Sequence, residues 1–321
     1  MTSAAELPII DLENFRLGNF NQKQAIAAAA NHACTTSGFF YVTGHGIAPE
    51  LFSKARRAAL DFFTGPQAIK SEVHITRVPH HRGYVGHYDV APDTLKGGDI
   101  REAFKVALEL DESDPDYQAG ITLYGPNVWP RDMPEFRTVI YQTYMEFIQL
   151  ADTIFSLFAV GLDLHEDYFK ALSNKPASVM NVNYYPATKT GNKGKASGIG
   201  AHSDYEAFAM LWQDRVGGLE IESLDGQWQS VKPVKDALVI NIGDLMSRWT
   251  NDRFRATRHR VFNTSGEERV SFACFGNTNY HALIQCIPSC CSEDDPARYP
   301  PVISGDYLMS KIKGTYAYTR D

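Results

Sequence analysis

No run of this sequence is apolar for long enough to cross a bilayer as a helix, and no basic stretch followed by a long apolar one opens it. The expectation is a protein of the cytoplasm that makes no use of a membrane. Cysteine is scarce and odd in number. Cys34, Cys274, Cys286, Cys290 and Cys291 show no spacing that would build a zinc ribbon or finger, and such usage fits a reducing compartment. Positive charge is short as well: 31 Lys and Arg face 38 Asp and Glu, a net of -7. Basic residues are scattered apart from short clusters such as Arg253, Arg255, Arg258 and Arg260, which argues against a nucleic-acid-binding surface. Internal repeats and low-complexity tracts are absent too.

What is present suits a soluble domain with a substantial core, since 44% of the 321 residues are hydrophobic and 21% are charged. Leu7 to Asp11 reads as a strand, followed by a helical stretch from about Asn21 to a break at Gly38. Phe39 to Thr43 is a buried strand. Pro49 opens a second helix, with Leu51, Phe52, Ala55, Ala59, Phe62 and Phe63 at helical spacing, and Gly65-Pro66 ends it. A long helix from Pro134 to Gly161 carries Phe136, Ile140, Tyr144, Phe147, Ala151, Ile154, Phe155 and Phe158 on one face, which is simplest as core. Pro79 to Gly98, with its Gly and His residues, reads as a lid-like loop over a site.

From about Ser178 the texture changes to short β-rich runs between Gly, Asn and Asp. They lie at Met180 to Tyr185, Phe208 to Trp212, Ala237 to Ile242, Arg258 to Phe262 and Val270 to Phe275, and Leu219 to Ser223 with Gln227 to Val231 flank an Asp225-Gly226 hairpin signal. Strands this short and this numerous can close two sheets into a jelly roll. The fold class is therefore α+β with a mainly β core, in a single catalytic domain. A mostly helical half covers 1–175, a jelly-roll core 176–290, and a C-terminal segment with a helix 291–321.

Three His-x-Asp pairs occur: His87/Asp89, His165/Asp167 and His202/Asp204. On a strand, residues two apart share a side, so such a pair presents an imidazole and a carboxylate together; on a helix they diverge. His165 and Asp167 stand where a helix begins, and a capping or solvated role suits them. His87 and Asp89 fall in the loop-like segment as candidate substrate contacts. His202 and Asp204 sit at the edge of the β-rich half, and His259 follows 57 positions later. Two imidazoles and one carboxylate on one face of an octahedron leave three positions open, the arrangement of oxygen-activating iron(II). Ten positions beyond His259 comes Arg269, and two further on Ser271, again on one side of a strand. A guanidinium beside a hydroxyl suits a carboxylate.

These residues stand in longer matching stretches: GFFYVTGHGI at 38–47, RGY at 82–84, DIREAF at 99–104, NYYP at 183–186, GAHSDY at 200–205, NIGDLMSRWTND at 241–252, and HRVFN followed by ERVSFACF. In these motifs and their order the chain resembles the isopenicillin N synthase-like branch of the iron(II) and 2-oxoglutarate-dependent dioxygenases, over nearly its whole length. The resemblance implies a distorted double-stranded β-helix with helices packed outside it. His202, Asp204 and His259 match the iron ligands, Arg269 and Ser271 match the pair that binds the far carboxylate of 2-oxoglutarate, and Asn183 and Tyr185 match positions that often touch the same cosubstrate. Ser203 departs from the Thr common in the family and should point away from the metal.

The implied reaction consumes O2 and 2-oxoglutarate, releases succinate and carbon dioxide, and oxidises a C–H bond of a small organic molecule. Tyr205, Phe275, Phe104, Arg82 and Tyr84 are the candidate substrate-pocket residues. Two other readings stay open. One is an iron(II) oxidase of the same fold that uses no 2-oxoglutarate, which the Arg-x-Ser pair does not exclude; the other is a non-catalytic ligand-binding jelly roll, against which the intact triad speaks.

Overall fold

The first elements are bounded by their own side chains. In the computed structural model, which describes residues 3–78, 80–87, 100–187 and 197–315, Asp11 ends strand β1 (Ile9–Asp11) and caps α1 (Leu12–Leu17) by accepting from the Glu13 and Asn14 amides. Asn19 and Gln22 make a reciprocal capping box at α2 (Phe20–Thr36), so the expected first helix is preceded by a separate short one. Gly38 then turns the chain with a φ of +71°, where a Cβ would lie 2.1 Å from the Arg255 carbonyl oxygen; only glycine fits. It leads into β2 (Phe39–Thr43).

Pro49 occupies the first turn of α3 (Pro49–Phe63), where its missing N–H costs nothing. There follow α4 (Gln67–Glu72), β3 (Gly83–Val85), β4 (Glu102–Ala107), α5 (Pro115–Gln118) and α6 (Pro134–Gly161). The second half runs β5 (Val179–Tyr185), β6 (Ser197–His202), β7 (Phe208–Gln213), β8 (Leu219–Glu222), β9 (Trp228–Val231) and β10 (Leu238–Ile242). Then come α7 (Asp244–Trp249), β11 (His259–Asn263), β12 (Arg269–Gly276), β13 (Leu283–Ile284), β14 (Val302–Ile303) and α8 (Ser304–Thr315).

An eight-stranded sheet in the order β1-β2-β10-β7-β12-β5-β4-β3 faces a four-stranded sheet in the order β6-β11-β8-β9. Strand alternation gives each face of the large sheet its own core. Phe39, Tyr41, Tyr185 and Val239 point inward and meet Leu219, Ile221, Val231 and Val261 of the small sheet. Their neighbours Phe40, Val42, Val182 and Phe272 point outward, beneath apolar faces of α2, α3 and α6. This is the jelly roll with helices packed outside it.

β1 to β4 supply four of the eight strands of the large sheet, so the expected boundary at residue 176 runs through the sheet rather than beside it. β4 escapes a reading by alternation because all six of its residues are buried, charged ones included. The loop expected over 79–98 falls largely outside the described residues. Among the described residues, no helix is long and apolar enough to cross a membrane.

Candidate metal centre

His202 ends β6 and His259 begins β11, and the two are direct cross-strand partners. A bulge lies just beyond, between the His259 and Val261 pairings. Gly198 lets the strands close up there, since a Cβ on it would lie 2.0 Å from the Val261 carbonyl oxygen. The two imidazole rings stand 4.3 Å apart, centre to centre. Asp204 lies past the strand end, not on it as the spacing alone implied, and its carbonyl accepts from the Asp244 amide at 2.8 Å.

The surroundings choose which atoms face inward. The Nδ1 atoms of His202 and His259 contact the carbonyls of Gly200 and Thr257, at 2.7 and 3.2 Å, which puts the proton on Nδ1 and turns Nε2 to the cavity. Asn241 donates to Asp204 Oδ2 at 2.7 Å. Asp204 Oδ1 is left 3.6 Å from each Nε2, and the three ligand atoms lie within 4.8 Å of one another. Burial, reinforced by His259, pushes His202 down to about 4, so it is neutral at pH 7 with a lone pair to offer. Two imidazoles and one carboxylate suit a first-row dication.

The cavity continues past the triad to β12 and β5. Arg269 is fully buried, with Nη1 donating to Ser271 Oγ at 3.1 Å, Nη2 donating to Gln213 Oε1 at 3.3 Å, and its guanidinium 4.6 Å from the centre of the Tyr185 ring. All three partners are neutral. Its Nε has no hydrogen-bond partner, and among the described residues no carboxylate pairs with it. A buried cation in this condition fits an incoming carboxylate. The β5–β12 register sets Tyr185 opposite Arg269 and Asn183 opposite Ser271, so all four candidate cosubstrate residues line one cavity with the triad.

Of the residues expected at the substrate pocket, Tyr205 and Phe275 line the cavity. Phe104, Arg82 and Tyr84 do not. Phe104 lies on the opposite face of β4, stacked on Trp129 and edge-on to Phe62 and Phe136. Tyr84 is its cross-strand neighbour on that face and donates to Glu102 Oε2 at 2.6 Å. Arg82 is fully buried as a clamp on the His80, Leu108 and Leu123 carbonyls. Phe104→Ala should therefore cost about 3–5 kcal/mol of stability while leaving cosubstrate affinity intact. Denaturant unfolding and a cosubstrate titration on the same variant check both halves.

His87 lies 3.4 Å from Glu102 Oε1, while Asp89 is outside the described residues. His165 and Asp167 form an exposed turn in which the Asp167 amide donates to His165 Nδ1 at 3.3 Å.

Sequence reasoning passed over Arg101, Lys105 and Glu206, which also line the cavity, and Leu308 and Ile312, which α8 brings to it. Arg101 and Lys105 left one signal, a spacing of four, and prove to lie just before β4 and within it. Burial and then the charge of Asp204 push Glu206 up to about 7. Cys290 and Cys291 lie outside the cavity as free thiols. Changing both to Ser should leave iron binding and turnover unchanged, and a metal titration of the double variant decides it.

Comparison with known proteins agrees with this geometry. Residues 7–132 match the model of the N-terminal region of the non-haem dioxygenases in morphine synthesis, and residues 176–278 match the 2OG-Fe(II) oxygenase superfamily. A 2-oxoglutarate-Fe(II) type oxidoreductase of Emericella nidulans, hxnY, is 32% identical over 96% of this chain and 90% of its own. A full-length Neurospora crassa protein, solved in complex with alpha-KG and 5-formyluracil, superposes with a TM-score of 0.84 at 27% identity, covering 98% of this chain and 99% of that one. JOX2, solved with 2OG, Fe and JA, gives a TM-score of 0.79 at 27% identity, over 100% of this chain and 90% of that one.

Proposed function

The chain belongs to the 2OG-Fe(II) oxygenase superfamily, and from that membership we propose that His202, Asp204 and His259 hold its iron(II) while Arg269 and Ser271, with Asn183 and Tyr185 beside them, hold 2-oxoglutarate. The enzyme is a non-haem iron(II) dioxygenase with 2-oxoglutarate and oxygen as cosubstrates. When bound, the metal supplies oxygen activation, coupled to conversion of 2-oxoglutarate to succinate and carbon dioxide and to oxidation of a substrate C–H bond.

The chain's own residues supply orientation and seclusion. The Gly200 and Thr257 carbonyls fix the two imidazoles, and Asn241 fixes the carboxylate. Ser271 and Gln213 aim the Arg269 fork, and the Tyr185 ring supports its face. Those contacts settle orientation before any ligand arrives, so little ordering remains to be done on binding. The substrate is a small organic molecule, as 5-formyluracil and JA are in the Neurospora crassa and JOX2 complexes. Tyr205 and Phe275 contact it, and hydroxylation, desaturation or a related oxidation is the outcome. Because one sheet takes strands from both halves, the chain works as one catalytic domain.

The observation that carries this reading is the coexistence, in one cavity, of the inward-turned triad and a buried arginine whose partners are all neutral. Succinate should form when a substrate is present and stop when a chelator removes the iron. Substrate oxidation without succinate would favour the oxidase of the same fold. A full-length chain that binds neither iron(II) nor 2-oxoglutarate under nitrogen would be a ligand-binding jelly roll instead.

A further inference from the structure

Side chains along β5 alternate, so Asn181, Asn183 and Tyr185 face the cavity while Met180 and Val182 turn to the helices. The pairing with β12 stacks the cavity face in layers: Tyr185 opposite Arg269, Asn183 opposite Ser271, Asn181 opposite Ala273, and Val179 opposite Phe275. The first two layers are the cosubstrate end. The fourth carries Phe275, which lines the substrate end. Asn181 stands between them, one layer beyond the groups assigned to 2-oxoglutarate.

The two asparagines differ in what they touch. Asn183 Oδ1 accepts from Arg101 Nη1 at 2.7 Å, whereas Asn181 Oδ1, on a residue only 8% exposed, has no hydrogen-bond partner among the described residues. A buried amide oxygen in that condition costs stability that an apolar side chain of the same shape would not. Its neighbour across β12 is the methyl group of Ala273, and Leu211 continues that layer on β7, so a partner on that side has to come from the cavity that Asn181 lines. The last torsion of an asparagine is soft, which lets the oxygen turn to a ligand there. We propose that Asn181 is a specificity-determining residue, its amide oxygen accepting a hydrogen bond from a hydroxyl or N–H group of the substrate. A substrate with such a donor satisfies the oxygen, and one without it leaves the oxygen buried and unpaired, the condition under which a polar site discriminates most strongly. This inference rests on the 2-oxoglutarate reading, because that reading fills the Arg269 and Ser271 layers and leaves the Asn181 layer to the substrate.

The test uses the full chain with iron(II) and saturating 2-oxoglutarate under nitrogen, titrated calorimetrically with matched pairs in which methylation removes the donor. Phenol with anisole probes a hydroxyl; pyrrolidone with N-methylpyrrolidone, and benzamide with N,N-dimethylbenzamide, probe an N–H. At least one donor compound should bind, with its methylated twin roughly tenfold or more weaker. Asn181→Leu should lower the donor compound's affinity by a similar factor and leave the twin's unchanged. The melting temperature of the ligand-free variant should stay level or rise, since no hydrogen bond is lost, and Asn181→Ala repeats the measurement without the bulk of leucine. Both variants should bind 2-oxoglutarate as wild type does. Methylated compounds binding as well as their donors, no donor compound binding at millimolar concentration, or a donor preference that survives both substitutions would each overturn the inference. A lowered melting temperature together with lost 2-oxoglutarate affinity in both variants would make Asn181 a structural residue and overturn it as well. Failure of wild-type protein to bind 2-oxoglutarate would instead overturn the reading beneath it.

Discussion

His202→Ala, Asp204→Ala and His259→Ala are each expected to abolish turnover and to weaken iron(II) binding by on the order of a hundredfold or more, beyond the roughly 10- to 100-fold typical of losing an outer-shell partner. Three protein atoms are all the triad offers the metal, and among the described residues no fourth ligand joins the group to compensate. The two histidines are not equivalent in their setting. His259 is buried edge-on against Phe39, with ring centres 5.6 Å apart, whereas His202 keeps about a third of its side chain open to the cavity. His259→Ala therefore also leaves a gap in the inter-sheet core and should lower thermal stability more than His202→Ala does. Asn241→Ala supplies the graded control. It frees Asp204 Oδ2 without removing a ligand, and its loss of iron affinity should fall within the outer-shell range. Anaerobic iron titration paired with thermal unfolding separates metal loss from misfolding. A folded alanine variant with wild-type iron affinity would place the metal elsewhere.

The parts of this architecture that could be read in the sequence are those fixed by local chemistry. α6 begins at Pro134 and ends at Gly161 as expected, because a proline at its start and an apolar stripe are local signals. The hairpin of β8 and β9 closes at Asp225-Gly226 for the same kind of reason. Pairing between distant segments is different. Nothing local says that His202 and His259 are cross-strand neighbours or that a bulge and Gly198 bring them together, and their association came from the chemistry of the donor set and from family likeness. Phe104 shows the cost of losing one strand's parity. Once Lys105 faces the cavity, Phe104 must face the helices, but β4 is buried on both faces and gave no alternation from which to assign it. Arg82 was misplaced for another reason. A buried arginine can clamp backbone carbonyls as readily as it binds a ligand, and only the carbonyls of residues 80, 108 and 123, gathered by the fold, tell which it does.

Arg269→Lys is expected to keep the charge and lose the fork, raising the apparent KM for 2-oxoglutarate roughly ten- to a hundredfold, the equivalent of one charge-assisted hydrogen bond at about 1.5–3 kcal/mol. The geometry says why the two cations differ here. Arginine reaches Ser271 and Gln213 through separate Nη atoms, lays its plane near the Tyr185 ring, and still has an unpartnered Nε. A lysine ammonium is a point donor that cannot meet Ser271, Gln213 and a bidentate carboxylate together. Iron binding should be unaffected, since Arg269 touches none of the triad's ligand atoms. A smaller 2-oxo acid that lacks the distal carboxylate should distinguish the two proteins far less, because it never engages the fork. That comparison separates loss of a specific contact from general damage to the cavity. Cosubstrate affinity measured under nitrogen, with thermal unfolding alongside, provides the test. Unchanged 2-oxoglutarate affinity in a folded Arg269→Lys protein would remove this arginine from the cosubstrate site and reopen the oxidase reading.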